Sequence, residues 1–142
     1  LVLDMAGNVG TQSLAVTIRV LMDSETTGAQ KRKLVCKEAR VGLMNGAILG
    51  AASFALIGAY LLLRGEAALM AFGVSGCIGI ALIAAMLLSS ISGTVIPIFF
   101  KKIGVDPAVA SGPLITTVND LVAVVSYYGL TWLLLIEWLH LA

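Results

Sequence analysis

The sequence predicts an all-α, polytopic helical membrane protein, and three observations carry that prediction. Of 142 residues, 59% are hydrophobic and 12% are charged, whereas soluble domains carry roughly 25% charged residues. The mean hydropathy is +1.02. Three runs with at most one charge, residues 41–63, 67–100 and 107–136, each exceed the roughly 20 helical residues that cross about 30 Å of hydrocarbon. The expectation is one transmembrane domain over residues 1–142, with helices at about 1–22, 38–63, 68–100 and 107–138 and a basic loop at about 23–37.

Residues 1–21 contain Asp4, Asn8, Gln12 and Arg19, too much polarity for a helix that faces lipid all round. This first helix is expected to line something polar. After it, Thr26-Thr27-Gly28 reads as a loop leading into a short helix with Lys31, Arg32, Lys33, Lys37 and Arg40, which should lie at the membrane surface. Residues 41–63 are bounded by Arg40 and Arg64 and carry Gly42, Gly46 and Gly50 at four-residue spacing, the small-residue stripe that lets helix backbones approach. Residues 67–100 are 34 uncharged residues, about 51 Å if helical. That is too short for two spans and a turn, so one long helix is expected, broken or kinked towards Pro97. Ser89, Gly93 and Pro97 share a spacing of four and read as a packing stripe or hinge. The last helix is expected to start with Asp106 as N-cap and Pro107 at its first position.

Nine Lys+Arg against eight Asp+Glu leave a net charge of +1, no excess with which to clamp a phosphate backbone. Nucleic acid is excluded as an expected partner. Cys36 and Cys77 stand 41 residues apart without a CxxC or a neighbouring His, which indicates neither a disulfide framework nor a zinc site. No initiating Met, basic leader or cleavage site precedes Leu1, so the chain is expected to be cut from something longer. With four alternating spans, eight of the nine basic residues fall on one side and Arg64 alone on the other. Short cytoplasmic loops are rich in Lys and Arg, so the basic loops are expected in the cytoplasm and the C-terminus outside, in a multi-pass protein of the inner (plasma) membrane. Tyr60, Trp138 and His140 then fall near the outer interface.

Asp120 is the most informative residue. It stands 13 residues after Pro107 and 16 before Ile136, where an ionised carboxylate costs at least about 2.5 kcal/mol. No Lys or Arg sits at comparable depth, so a cation or trapped water is the natural partner. Pro113, Thr116 and Thr117 precede it on one stripe, which joins a proline, hydroxyls, an amide at Asn119 and the carboxylate. Pro113 is expected to free the carbonyl of Val109 and disturb the helix locally. The competing reading makes Asp120 structural glue between helices. On the first helix, Gly7-Asn8-Val9-Gly10-Thr11-Gln12-Ser13 follows Asp4; Asp4, Asn8 and Thr11 share a face, and the glycines expose backbone carbonyls. Oxygen ligands of this kind suit hard cations such as Mg²⁺ and Ca²⁺, while a small-residue packing seam is the equal alternative.

The first of these strings, together with Gly104-Val105-Asp106-Pro107-Ala108-Val109-Ala110-Ser111-Gly112-Pro113-Leu114-Ile115-Thr116-Thr117-Val118-Asn119-Asp120, resembles the membrane domain of the MgtE family of magnesium channels. The resemblance implies five membrane helices per subunit, of which this chain supplies the second to fifth and lacks the first. It also implies a homodimer in the bilayer whose second and fifth helices line one central pore. It matches the family's ion-binding aspartate to Asp120 and its ion-facing carbonyls to Gly7 and Thr116, with Asn8 and Thr11 on the pore-lining segment. Metal-contacting Asp120, Gly7, Thr116 and Asn8, and pore-lining Asp4, Thr11, Thr117, Pro113 and Asn119, are the expected site. The transported ion is expected to be largely hydrated Mg²⁺, with Mn²⁺ or Co²⁺ as further divalent cations, and no catalytic or cofactor-binding residue is expected. The rival readings are a non-conducting membrane assembly subunit and an intramembrane enzyme using Asp4 and Asp120 as a carboxylate pair.

Overall fold

A computed structural model describes residues 1–22, 26–110 and 113–138. Four helices dominate: α1, Val2–Met22; α2, Gly28–Leu63; α3, Ala68–Lys102; and α4, Pro113–Thr131, which continues as a π-helical stretch over Trp132–Trp138. There is no strand among the described residues, and the fold is the all-α transmembrane bundle that the sequence predicts. Three helical stretches, Gly28–Leu63, Ala68–Lys102 and Pro113–Leu134, are long and apolar enough to cross a membrane. The polar α1 is excluded from that set by its composition.

The helix ends follow from local chemistry. Thr27 caps α2: the Gln30 amide N–H donates to Thr27 Oγ1 at 3.4 Å, and the Thr27 N–H donates to Gln30 Oε1 at 2.8 Å. This reciprocal pair satisfies two otherwise orphaned groups. The basic segment expected as a loop through residue 37 is therefore helical from Gly28, and α2 has 36 residues, about 54 Å. Its first 13 residues project beyond the uncharged run. At the far end Gly65 (φ 84°) closes α2, with the Gly65 N–H on the Leu62 carbonyl and the Glu66 N–H on the Leu61 carbonyl. Gly104 (φ 78°) closes α3 in the same way, with the Val105 N–H on the Phe100 carbonyl. Both positions use the left-handed conformation that glycine adopts without a Cβ clash.

The last helix differs from expectation. Asp106 does cap a turn, its Oδ1 accepting from the Ala108 N–H at 2.9 Å, but that turn is a short 3₁₀ helix over Pro107–Ala110. A separate helix begins at Pro113. Two prolines six residues apart each favour a first helical position, where no N–H is needed, and each takes one. Pro113 thus breaks no ladder within α4. Pro97, by contrast, is fully buried inside α3, which runs unbroken through it.

The central helix is α3. Val2, Ala6 and Val9 of α1 cluster with Leu82, Ala85 and Met86 of α3 and Ala123 of α4, while Leu14 and Ile115 pack on Ile96 and Phe100. The order shows α1 parallel and α4 antiparallel to α3. On the other side of α3, α2 runs antiparallel with backbones nearly touching: a Cβ on Gly46 would stand 2.8 Å from Ile83 Cα, and one on Gly50 2.8 Å from the Gly79 carbonyl oxygen. The Ser90 hydroxyl donates to the Glu38 carbonyl at 2.7 Å across the same seam. Buried hydroxyls at Thr17, Ser75 and Thr94 donate to carbonyls four residues back, at 2.7, 2.7 and 2.9 Å, so polar side chains can be buried without crossing partners. The up-and-down order brings Arg19, the basic start of α2 and Lys101-Lys102 to one end of the bundle. Lys101 Nζ donates there to the Leu21 carbonyl, covering the C-terminus of α1. Cys36 is exposed on α2, and Cys77 is buried beside Thr131.

Candidate functional site

On α1, residues 4, 8 and 11 recur at helical spacing and lie on the face turned away from the apolar cluster. On α4 the buried stripe is Ile115, Asn119 and Ala123, which leaves Thr116 and Asp120 on an adjoining face. Where α1 and α4 pass each other, these two faces form a groove of about 400 Å³ lined by Leu3, Asp4, Gly7, Asn8, Thr11, Thr116 and Asp120. Two carboxylates, an amide and two hydroxyls face it, and its lining contains no basic residue. Asp4, Asn8, Thr11, Thr116 and Asp120 are exposed, so the groove is open along its length.

Its local hydrogen bonds are specific. Thr11 Oγ1 donates to the Gly7 carbonyl at 2.9 Å and is 3.0 Å from the Asn8 carbonyl. That orientation directs the hydroxyl proton into the helix and leaves oxygen lone pairs outward, the polarity a cation needs. Gly7 has nothing within 4 Å of where a Cβ would stand, so the missing side chain widens the groove. Asp120 is only seven residues into α4, yet its neighbour Asn119 meets Gly10, near the middle of Val2–Met22. The carboxylate therefore stays at mid-bundle level.

Three further residues expected to line the pore do not line this groove. Pro113 and Thr117 are exposed but outside the groove, joined by a 2.7 Å bond from the Thr117 hydroxyl to the Pro113 carbonyl. Asn119 is fully buried and points into the helix interface, not the groove. Asn119 continues the buried stripe of Ile115 and Ala123, about 100° round the helix from Asp120. A Cβ on Gly10 would lie 2.6 Å from Asn119 Cγ. Neither amide atom of Asn119 has a hydrogen-bond partner among the described residues, a state that costs about 1–3 kcal/mol. The Gly10 carbonyl likewise lies against Gly93, while Asn119 fills the space where a Gly10 Cβ would stand. Ile115, Asn119 and Ala123, spaced by four, are the sequence signal for this buried stripe.

Comparison with known proteins places the whole chain. The family described as MgtE, divalent cation transporter, matches residues 1–130. The chain belongs to the MgtE family. Its curated relatives include the magnesium transporter MgtE of Bacillus subtilis (strain 168), 40% identical over 126 residues, which covers 89% of this chain and 26% of that protein. The magnesium transporter MgtE of Enterococcus faecalis is 35% identical over 130 residues, covering 92% of this chain and 27% of that protein. That of Thermus thermophilus is 31% identical over 133 residues, covering 94% and 28%. The chain thus spans about a quarter of the length of the MgtE relatives it matches. The family and these three relatives are named for cation transport, and the long apolar helices of this chain fit a membrane-spanning member.

Proposed function

We propose that this chain forms the conducting part of a Mg²⁺ transporter in which two copies pair, each presenting the α1–α4 groove to the other. The observation that carries the reading is the groove itself: Asp4, Gly7, Asn8, Thr11, Thr116 and Asp120, drawn from two helices more than 100 residues apart in sequence, line one space with no basic residue. Mg²⁺ prefers six oxygen ligands and gives up water reluctantly. Six waters at about 30 Å³ each come to about 180 Å³, which the groove holds without stripping the ion. Asp120 is the central carboxylate, contacting the hydrated ion through water. Gly7 and Thr116 contribute backbone carbonyls, the Gly7 carbonyl once the Thr11 hydroxyl bonded to it turns away, Asn8 its side-chain oxygen, and Asp4 and Thr11 line the path on either side. One chain supplies half a ring of such groups, and an isologous pair completes it without new residue types. The weak, water-mediated hold of two carboxylates permits release, as conduction requires. Mn²⁺ and Co²⁺, similar in charge and coordination, are expected to pass as well. In the proposed orientation the basic ends of α1, α2 and α3 lie in the cytoplasm of a cell whose plasma membrane holds the protein.

The test is flux into liposomes holding the full-length protein, with Mg²⁺, Mn²⁺, Co²⁺ and Ca²⁺ supplied in turn. Saturable Mg²⁺ uptake supports the reading. No uptake of any of the four by folded, inserted protein would favour the non-conducting assembly subunit instead.

A further inference from the structure

The buried residues of α4 are Ile115, Asn119 and Ala123, of which Asn119 alone is polar; Tyr127 packs partly buried on the same cluster, and Thr131 lies beside Cys77. Ile115 and Ala123 meet apolar neighbours. Such contacts are non-directional and leave the helix free to turn about its axis by small amounts. Asn119 is different. Its planar amide fills the space a Cβ on Gly10 would need, and Gly10 in turn is pressed on Gly93, where a Cβ would overlap the Gly10 carbonyl. Three helices therefore meet at Gly93, Gly10 and Asn119 with no slack. The amide gains no hydrogen bond there among the described residues, so shape, not polarity, defines the contact.

We propose that Asn119, seated in the Gly10 notch, is a positioning residue that sets the rotation of α4 and thereby holds Asp120 in the groove. The link is covalent and geometric: the two residues are consecutive, and on a helix fixing the direction of one fixes the other about 100° away. Asn119 touches no ion. The role of Asp120 rests on the function proposed above, but its orientation is measured separately.

The experiment uses full-length protein with Cys36→Ser and Cys77→Ala, carrying Asp120→Cys, and follows the rate at which a water-soluble thiol reagent modifies position 120. Asn119→Ala and Gly10→Ala are each expected to slow modification about tenfold, because the first empties the notch and the second expels the amide. The two together should restore the rate to within about threefold, since the new methyl takes the place the amide left, the non-additive signature of residues in contact. With Asp120 intact, the half-saturating Mg²⁺ concentration should rise in each single variant and fall back in the pair, while maximal flux changes less. A merely structural role would lower thermal stability and leave the modification rate unmoved. An unchanged rate in Asn119→Ala overturns the proposal, and that arm stands alone if Gly10→Ala does not assemble. Independent, additive effects of the two substitutions overturn it too. If Asp120→Asn conducts normally, the ion reading fails, whereas the labelling still judges the positioning.

Discussion

Gly7 and Gly46 illustrate how one residue type serves two needs in this bundle. A Cβ at Gly7 meets nothing within 4 Å, and the position borders the groove; a Cβ at Gly46 stands 2.8 Å from Ile83 Cα. Gly7→Leu is accordingly expected to leave the melting temperature nearly unchanged but to cut Mg²⁺ flux about tenfold or more by filling the path. Gly46→Leu is expected to destabilise the fold by about 1–3 kcal/mol through overpacking, visible in thermal unfolding. The meeting of Asp4, Asn8, Thr11, Thr116 and Asp120 in one groove was legible in the sequence because polar groups in an apolar run need a reason. The position of Asn119 was not, because its place beside Asp120 in the chain does not say which of the two the helix turns into the bundle. Gly10 is a parallel case: its missing side chain makes room for the Asn119 amide, which its place in the glycine-rich string does not announce.

Among the elements, the long apolar runs at 41–63 and 67–100 were readable because each has charges at its ends and none inside. The boundaries governed by caps were less so. Thr27 and Gln30 form a capping box that converts an apparent basic loop into the first turns of α2, and competition between Pro107 and Pro113 for a helix start has no hydropathy signal. Thr27→Ala is expected to cost about 1 kcal/mol, concentrated in the first turn of α2. Hydrogen exchange at the amides of residues 28–31 should quicken while that at 45–60 stays slow. Equal protection in the two proteins would show that packing on α3, not the cap, holds this turn. The 2.7 Å bond from Ser90 to the Glu38 carbonyl supports the next turns of the same helix and is unaffected by the substitution.

For the whole molecule, the parallel course of α1 and α3 and the antiparallel course of α2 and α4 gather eight basic residues at one end and leave Arg64 at the other. A membrane-impermeant label at an introduced cysteine near Lys33 or Lys101 is expected to react only from the cytoplasmic side, and one near Gly65 only from outside. If two copies face each other across the groove, two Asp120 carboxylates repel until a cation arrives. Mg²⁺ should then stabilise the dimer with the logarithm of its concentration, by about 2.7 kcal/mol at one hundred times its dissociation constant, and Asp120→Asn should lose this dependence. Melting followed over a Mg²⁺ titration reads both. The central claim, that the groove carries the ion past Asp120, is tested most directly by Mg²⁺ flux through full-length wild type and Asp120→Asn reconstituted at equal density. The substitution keeps the side chain's shape and removes its charge, so the dimer should persist while flux falls at least about tenfold, a loss of roughly 1.4 kcal/mol or more in ion stabilisation. Wild-type flux in Asp120→Asn would contradict the account.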